Sequence, residues 1–242
     1  MIRSNDTAPF WIDSKDPASG FPDVELALRD PDGLLALGGD LSLPRLLAAY
    51  RRGIFPWYGP RQPILWWSPD PRLVLYPSDL HVSHSLARTL RRERFRVSFD
   101  RDFPAVIRHC AAPRPGQAGT WIIPEMQAAY IALHTAGYAH SAECWRDDVL
   151  VGGLYGVALG RIFFGESMFA REPDASKVAF VQLVRLLQQR GFRLIDCQVH
   201  TAHLASLGAI TMPRREFVRI LAESCADGPA PGRWRISVED GI

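Results

Sequence analysis

Between residues 139 and 199 the chain alternates apolar runs with short turns. The pattern predicts three consecutive strands at 139–146, 149–159 and 161–169. Asp147-Asp148 and Gly160-Arg161 are tight-turn signals between them, which favours antiparallel neighbours. Apolar residues at helical spacing then predict a helix that begins after Asp174 and ends at Gly191. Strands followed by a helix and a further strand indicate an α+β fold with a mixed sheet.

The segment from residue 72 to residue 137 continues this regular pattern. Strands are predicted at 72–76 and 95–99, and helices at 83–92, 103–110 and 124–137. Residues 114–119 are expected to form a flexible loop. Residues 193–199 are predicted to form the last strand and residues 214–225 the last helix.

The first 70 residues are different, because they are rich in proline and glycine. One helix fits there, with Ser42 as its cap, Pro44 in its first turn and Gly53 at its end. The rest is expected to be turns anchored by aromatic side chains. The chain therefore divides into a small irregular N-terminal domain, 1–70, and a larger domain, 71–242.

Composition narrows the class of protein. Of 242 residues, 47% are apolar and 22% are charged, which excludes disordered, collagen-like and coiled-coil chains. The four cysteines are far apart without a CxxC motif, so no zinc site is expected and a reducing compartment fits. The N-terminus lacks the apolar core of a signal peptide, and these features together predict a cytoplasmic protein.

Charge is unevenly distributed. The net charge is +2, but residues 81–120 carry 8 basic and 3 acidic side chains. Such a block attracts polyanions through their phosphates, without reading sequence. A solvated helix face is the alternative interpretation. The candidate phosphate-binding residues are Arg88, Arg91, Arg92, Arg94 and Arg96.

Glu166 is a carboxylate inside a strongly apolar strand, FFGESMF (163–169). Side chains alternate along a strand, so Phe164, Glu166 and Met168 are expected to share one side. An unpaired buried carboxylate is costly, and buried acids are frequent at functional sites. A structural glutamate at a strand end is the alternative.

Asp196 and Gln198 end another apolar strand, LIDCQ, and are expected to share one side. A carboxylate beside a carboxamide suits the orientation of an amine nucleophile. A strand-end turn that caps the following helix is the alternative. Cys197 faces the other way, toward the core. His200 and His203 lack a third metal ligand in the sequence.

Aromatic residues are concentrated between positions 50 and 67, and Trp121 follows a glycine-containing loop. Nucleobases stack on such rings. The candidates for stacking are Tyr50, Trp57 and Trp121. Packing between the two domains is the alternative.

Several long stretches resemble one bacterial family, the leucyl/phenylalanyl-tRNA–protein transferases. They are GLLALGGDLS (33–42), RGIFPW (52–57), PILWWSPDPR (63–72), AHSAECW (139–145), LVGGLYGVALG (150–160), FFGESMF (163–169) and LIDCQV (194–199). The resemblance extends from about residue 21 to residue 220. Ala170 departs from it, since the family commonly has Ser there.

The resemblance implies an activity and a fold. The family moves Leu or Phe, and Met less well, from aminoacyl-tRNA to the α-amino group of proteins that begin with Arg or Lys. The product is degraded by the N-end rule pathway. The larger domain would have a GNAT-like fold, that of the acyl-CoA N-acyltransferases.

The resemblance also implies roles for the candidate residues. Asp196 would hold Gln198, whose carbonyl oxygen would accept a hydrogen bond from the attacking amine, and Glu166 would hold the donor's ammonium group or its terminal ribose. The 3′-adenosine would lie on Tyr50, Trp57 or Trp121. The donor's side chain would enter an apolar pocket formed by Leu154, Phe163, Met168, Leu183 and Ile195.

No cofactor and no metal are expected, and a monomer is favoured. Two alternatives stay open. One is a CoA-dependent or peptidoglycan-type N-acyltransferase, although the turn at 171–177 lacks the glycines that cradle a CoA pyrophosphate. The other is a nucleic-acid-binding module without catalysis.

Overall fold

The computed structural model describes residues 8–15, 20–113 and 120–234. The predicted loop at 114–119 lies outside these residues, as do most of the first 20.

The N-terminal region contains a four-stranded sheet that the sequence analysis did not predict. Its strands are β1 (Phe10–Ile12), β2 (Leu34–Gly38), β3 (Phe55–Pro56) and β4 (Leu65–Trp67), in the order β1-β2-β4-β3. β1 is parallel to β2, and the other pairs are antiparallel. The strands are two to five residues long, too short to show a period, and this is why the interpretation of the region as turns was wrong. The predicted helix is confirmed as α1 (Leu43–Tyr50).

A second sheet of seven strands forms the centre of the molecule, in the order β11-β5-β10-β9-β8-β7-β6. Its strands are β5 (Arg72–Leu75), β6 (Arg96–Phe99), β7 (Ala139–Arg146), β8 (Val149–Leu159), β9 (Ile162–Ala170), β10 (Leu194–Gln198) and β11 (Ile210–Met212). Within this sheet, β9 and β10 are the only described neighbours that pair in parallel. The expectation of an α+β fold with a mixed sheet is confirmed.

Helices cover both faces of the large sheet. They are α2 (His84–Arg91), α3 (Phe103–Ala111), α4 (Pro124–Thr135), α5 (Ala175–Gln189), α6 (Ala202–Ser206) and α7 (Arg214–Ser224). α5 packs across β7 and β8 on one face, while α3 and α4 pack on the other. Over the described parts of the chain, no helix is both long and apolar enough to span a bilayer.

Two hydrophobic cores lie on opposite faces of the seven-stranded sheet. The first core joins the small sheet, α1, α3 and α4 to the sheet residues Tyr155 and Phe164. The second core joins α2 and α5 to Leu154 and Phe163. The first core contains residues from both sides of position 70. The division of the chain into two domains at that position stays a prediction.

The turns between β7, β8 and β9 have the predicted chemistry. Asp147 and Asp148 have φ values of 48° and 61°, and Gly160 has a φ of 57°. Left-handed residues in short loops match the right-handed twist of the strands they connect. The short elements α6 and β11 were not predicted, because three to five residues carry no detectable period.

Gly156 is required by close packing in β8. A Cβ atom there would lie 2.6 Å from the ring of Phe163 and would also contact the carbonyl oxygen of Phe164. We therefore expect Gly156→Ala to lower the free energy of unfolding by about 1–3 kcal/mol, as overpacking does. Urea denaturation measures the change. Gly232→Ala is the control, since a Cβ atom at Gly232 has no neighbour within 4 Å, and its stability should match wild type.

Candidate active site

Glu166 lies at an irregularity in the pairing of β8 with β9. Gly156 pairs with Gly165 and Tyr155 pairs with Ser167, so Glu166 has no partner residue on β8. This extra residue is a β-bulge, which interrupts the alternation of side chains along the strand. Phe164 packs in the first core, whereas Met168 packs against the second. The expectation that both share the side of Glu166 is wrong for Met168, because alternation resumes in the opposite phase after the bulge.

Two tyrosines from helices meet the Glu166 carboxyl group. The Tyr50 hydroxyl, at the end of α1, donates to Glu166 Oε1 at 2.7 Å. The Tyr130 hydroxyl, from α4, lies 2.8 Å from Glu166 Oε2 and donates to it when Glu166 is ionised. The two hydroxyl oxygens are 2.5 Å apart. Tyr130 was not identified from the sequence, where it was only one apolar position of a predicted helix.

The number of hydrogen atoms in this cluster depends on the protonation of Glu166. Three oxygen–oxygen contacts join Tyr50, Tyr130 and Glu166, and each hydrogen bond needs one hydrogen atom. The two phenol groups supply two. A protonated Glu166 supplies the third: its Oε2–H donates to Tyr130, Tyr130 donates to Tyr50, and Tyr50 donates to Oε1, which closes a ring of three hydrogen bonds. The geometry therefore favours the neutral carboxylic acid.

The pKa values agree with this. Burial, together with the nearby charge of Asp196, raises the pKa of Glu166 to about 7, against the opposing hydrogen bonds from Tyr50 and Tyr130. Burial and the charge of Glu166 raise the pKa of both tyrosines well above the ordinary value. At neutral pH the tyrosines stay protonated, while Glu166 populates both of its forms.

Gln198 is oriented by Glu166. The Gln198 amide nitrogen Nε2 donates to Glu166 Oε1 at 3.0 Å. This contact turns the other end of the carboxamide, the carbonyl oxygen, away from Glu166. Among the described residues that oxygen accepts no hydrogen bond. The backbone of Gln198 has a φ of 63°, in the left-handed region, at a second register shift in the sheet.

Asp196 forms a buried ion pair with Arg72 of β5. Arg72 Nε and Nη2 donate to Asp196 Oδ1 and Oδ2 at 2.8 and 2.7 Å, and the two side chains are 1% and 0% exposed. The rings of Phe55 and Phe217 flank the guanidinium, each centroid 4.8 Å from it. Arg72 was recognised from the sequence only as the first residue of a strand. The one feature of the sequence that could have indicated its role is a positively charged residue at the start of an apolar run.

Asp196 contacts Gln198 through the backbone. The Gln198 amide N–H donates to Asp196 Oδ1 at 2.9 Å, whereas the carboxamide contacts Glu166. Asp196 therefore fixes the position of the Gln198 main chain, and Glu166 fixes the direction of its side chain. The structure brings the three candidate catalytic residues together.

The three aromatic candidates lie in different environments. Tyr50 is fully buried. Trp57 is 47% exposed, and its ring meets the ring of Trp67 edge-on at 5.7 Å. Trp121 is half-buried against the first core. Of the three, Trp57 offers the most free ring surface.

Four of the five residues predicted for the aminoacyl pocket lie inside the second core, on the face of the sheet opposite Glu166. They are Leu154, Phe163, Leu183 and Ile195, all at most 3% exposed. Met168, the fifth, borders a cavity of about 510 Å³.

The candidate arginines lie on α2, β6 and the loop between them. Four are exposed, and Arg96 is half-buried and forms an ion pair with Asp148 at 2.7 Å. Arg91, Arg94 and Arg96 border a cavity of about 610 Å³, where Arg185 of α5 joins them.

Cys197, the cysteine between the two candidate catalytic residues of β10, is not activated as a nucleophile. Burial raises the pKa of Cys197 well above its ordinary value, which keeps the thiol protonated. Across residues 8–15, 20–113 and 120–234, no group of three or more His, Cys, Asp or Glu side chains is placed to hold a metal ion.

Comparisons with known proteins agree with the resemblance seen in the sequence. The family profile described as leucyl/phenylalanyl-tRNA protein transferase matches residues 74–222, and the profile of that family's N-terminal domain matches residues 39–70. Among solved structures, "The structure of L-PGS from Bacillus licheniformis" has a TM-score of 0.39 at 9% identity, over 69% of this chain and 53% of that chain. That likeness is too distant to support a conclusion about the fold.

Curated relatives are much closer. A leucyl/phenylalanyl-tRNA–protein transferase of Aromatoleum aromaticum is 64% identical over 88% of this chain and 90% of its own length. The protein of the same name from Methylococcus capsulatus is 57% identical over 93% of this chain and 95% of its own length. The profile match and these identities together show that the chain belongs to the leucyl/phenylalanyl-tRNA–protein transferase family.

Proposed function

We propose that this protein transfers Leu or Phe, and Met less well, from aminoacyl-tRNA to the α-amino group of proteins with N-terminal Arg or Lys. The products would then be degraded by the N-end rule pathway. Family membership supports the reaction class. The observation in this chain that supports it most is the orientation of Gln198, whose free carbonyl oxygen can accept a hydrogen bond from an amine.

The reaction is the aminolysis of an activated ester. The nitrogen of a neutral amine attacks the ester carbonyl carbon and the ester C–O bond breaks. The 3′-oxygen of the tRNA leaves as a hydroxyl group, with the proton that the amine loses. An α-amino group has a pKa of about 7.7–8.0, so a useful fraction is neutral near pH 7. Alignment of the two reactants can lower the barrier by roughly 7–11 kcal/mol. Positioning therefore suffices as the main contribution, and no covalent intermediate is needed.

Gln198 is assigned the positioning of the amine. A carboxamide is not a base near neutral pH, so its carbonyl oxygen orients the nucleophile without removing its proton. Asp196 holds the Gln198 backbone and is itself held by Arg72. Since both oxygens of Asp196 receive hydrogen bonds from Arg72, we assign Asp196 a positioning role.

Glu166 is assigned the binding of the donor, through either its ammonium group or its terminal ribose. When Glu166 is ionised, among described contacts Oε1 accepts two hydrogen bonds and Oε2 accepts one. A carboxyl group has about four acceptor positions, so one remains on Oε2. A cationic donor bound there would favour the ionised form of Glu166.

The remaining parts of the donor are assigned to residues according to how exposed those residues are. Trp57 and Trp121 are proposed to stack on the terminal adenine, while Tyr50 acts through Glu166. Met168 is proposed to line the entrance of the side-chain pocket. Leu154, Phe163, Leu183 and Ile195 would form its floor if the second core opens toward the site. The exposed arginines of α2 and the loop after it would bind tRNA phosphates.

We also propose that residues 71–242 have a GNAT-like fold and that the protein acts as a monomer. The order β7, β8, β9, α5, β10, with β9 and β10 parallel, supports the fold. A CoA-dependent acyltransferase remains the alternative. In the turn at 171–177, Glu172 pairs with Arg146 at 2.5 Å and Asp174 with Lys177 at 3.1 Å, so these acids repel an anionic donor less than the sequence alone suggests.

Transfer of labelled Leu from Leu-tRNA to a protein beginning with Arg tests the proposal. The same protein beginning with Ala is the matched acceptor, and acetyl-CoA is the matched donor. Transfer that requires Leu-tRNA and the N-terminal Arg supports the proposed function. Transfer only from acetyl-CoA would replace it with the alternative.

The first prediction in this reaction concerns Gln198. We expect Gln198→Ala to lower the transfer rate more than about tenfold, or ~1.4 kcal/mol of transition-state stabilisation, because the amine loses its acceptor. Single-turnover transfer measures the rate, and thermal unfolding checks the fold. Gln189→Ala changes an exposed glutamine of α5 and is the control. A Gln198→Ala protein with wild-type turnover would rule out the role assigned to Gln198.

The second concerns the protonation of Glu166. Its folded-state pKa of about 7 is above the ordinary value of 4.5, so its stabilising contribution is complete below about pH 4.5 and is lost as the pH rises to about 7. Glu166→Gln removes this dependence. Between pH 5 and pH 8, the unfolding free energy of the wild type should fall by on the order of 1–3 kcal/mol more than that of the variant.

Urea denaturation at both pH values measures this difference. Met168→Leu alters nearby packing without removing an ionisable group, and its difference from wild type should not change with pH. If the difference in unfolding free energy between Glu166→Gln and wild type were also independent of pH, the interpretation of Glu166 as a neutral acid would be contradicted.

The third concerns tRNA binding. We expect Arg91→Ala with Arg92→Ala to weaken binding of Leu-tRNA and Phe-tRNA alike, and to flatten the plot of log affinity against log salt by about 1–2 units. Transfer from leucyl-adenosine should be nearly unchanged. Arg215→Ala with Arg219→Ala removes the same charge from α7 and is the control. An equal loss on leucyl-adenosine would mean that these arginines support the fold or the chemistry.

A further inference from the structure

A cavity of about 510 Å³ lies beside the candidate active site. It opens between the end of α3, the last residues of β9 and the start of α5, and α6 closes one side. The lining residues are His109, Ala112, Pro113, Met168, Phe169, Ala170, Arg171, Ser176 and His203. The proposed chemistry of transfer does not use its polar residues.

The cavity has two chemically different sides. Met168, Phe169 and Ala170 give it an apolar side. Arg171, His109 and Ser176 give it a side with hydrogen-bond donors. An apolar surface next to a cation and a hydroxyl group suits a ligand that carries both an anionic group and a flat or apolar part.

Arg171 is a cation whose neighbouring acids are already paired. Glu172 forms an ion pair with Arg146 at 2.5 Å. Asp174 forms one with Lys177 at 3.1 Å and also accepts a hydrogen bond from Thr89. In the described part of the chain, Arg171 forms no ion pair with a carboxylate.

The side-chain partner of Arg171 is a histidine that does not neutralise it. Arg171 Nη2 donates to His109 Nδ1 at 3.1 Å, so that nitrogen is unprotonated. Burial lowers the pKa of His109, and the charges of Arg171 and Arg108 lower it further. His109 lies against the ring of Phe169, with centroids 4.9 Å apart, which fixes the direction of the guanidinium. The result is an oriented, exposed guanidinium with donors left over.

The cavity is within reach of the reacting groups. Met168 is two residues after Glu166 on β9, or about 7 Å along the strand, and Arg171 is five residues after it, or about 16 Å. An extended donor whose ester lies at Glu166 and Gln198, and which follows β9 to its end at Ala170, would bring its next groups to Arg171 in this cavity. Guanidinium groups bind phosphate oxygens in a bidentate manner, and phosphate contacts position a nucleic acid.

We propose that this cavity is a phosphodiester subsite for the single-stranded 3′ end of the donor tRNA. Arg171 binds the phosphate, His109 orients Arg171, and the adjoining nucleoside lies against Phe169 and Ala170. The inference rests on the proposed function, which supplies the donor. A CoA pyrophosphate has the same phosphate chemistry, and the experiment separates the two.

Three donors of increasing length test the subsite. Leucyl-adenosine has no phosphodiester, leucylated CpA has one, and Leu-tRNA has the full 3′ end. We expect Arg171→Gln to lower kcat/KM at least about tenfold with the two longer donors, as the loss of a charged hydrogen bond does, and less than about twofold with leucyl-adenosine. Arg108→Gln removes the same charge from an exposed site one residue from His109 and should leave all three unchanged.

An equal loss with leucyl-adenosine, or no loss with Leu-tRNA, would overturn the subsite. Direct binding of unacylated CpA by calorimetry tests it even if no transfer occurs. Arg171→Gln should weaken that binding at least about tenfold and Arg108→Gln less than twofold. Equal CpA affinity in wild type and Arg171→Gln overturns the subsite. Tight binding of CoA that depends on Arg171, in a protein that does not bind CpA, also overturns it. Absence of Leu transfer in the wild type would instead refute the proposed function.

Discussion

The ion pair of Arg72 with Asp196 ties the candidate site to the rest of the fold. Both side chains are removed from water, and the pair joins neighbouring strands of the large sheet. Phe55 from the small sheet and Phe217 from α7 enclose the guanidinium. Removal of one partner from such a pair costs roughly 3–5 kcal/mol, because the other charge stays buried. The position of Gln198 therefore depends on contacts that reach three parts of the chain.

The bulge in β9 is the second constraint. Glu166 faces the tyrosines of α1 and α4, on the side of Phe164, and the change of phase after the bulge places Met168 on the other face of the sheet. A single extra residue thus separates a polar hydrogen-bonded cluster from an apolar surface only two positions away. This separation lets one strand contribute both to the ester-binding centre and to the neighbouring cavity that we assign to a phosphodiester.

Two groups of surface cations have the roles in tRNA binding that we propose. The arginines of α2 and the following loop are numerous and mostly exposed, which suits binding of phosphates irrespective of sequence. Arg171 is single and oriented by His109, beside the reacting groups. A tRNA that contacts both would be held at its stem and at its 3′ end, and its ester would be fixed between them.

The sequence by itself determined the α+β class and the long strands and helices, because these segments are periodic. It also indicated Asp196, Gln198 and Glu166, because each is a polar residue in an apolar run. It could not give the small N-terminal sheet, whose strands are too short to have a period. Nor could it give the roles of Arg72 and Tyr130, which lie 124 and 36 residues from their partners. Contacts across such distances exist only after the chain has packed. The tertiary structure also decided the side on which Met168 lies, since a bulge arises from the pairing of two strands and leaves no mark in either one alone.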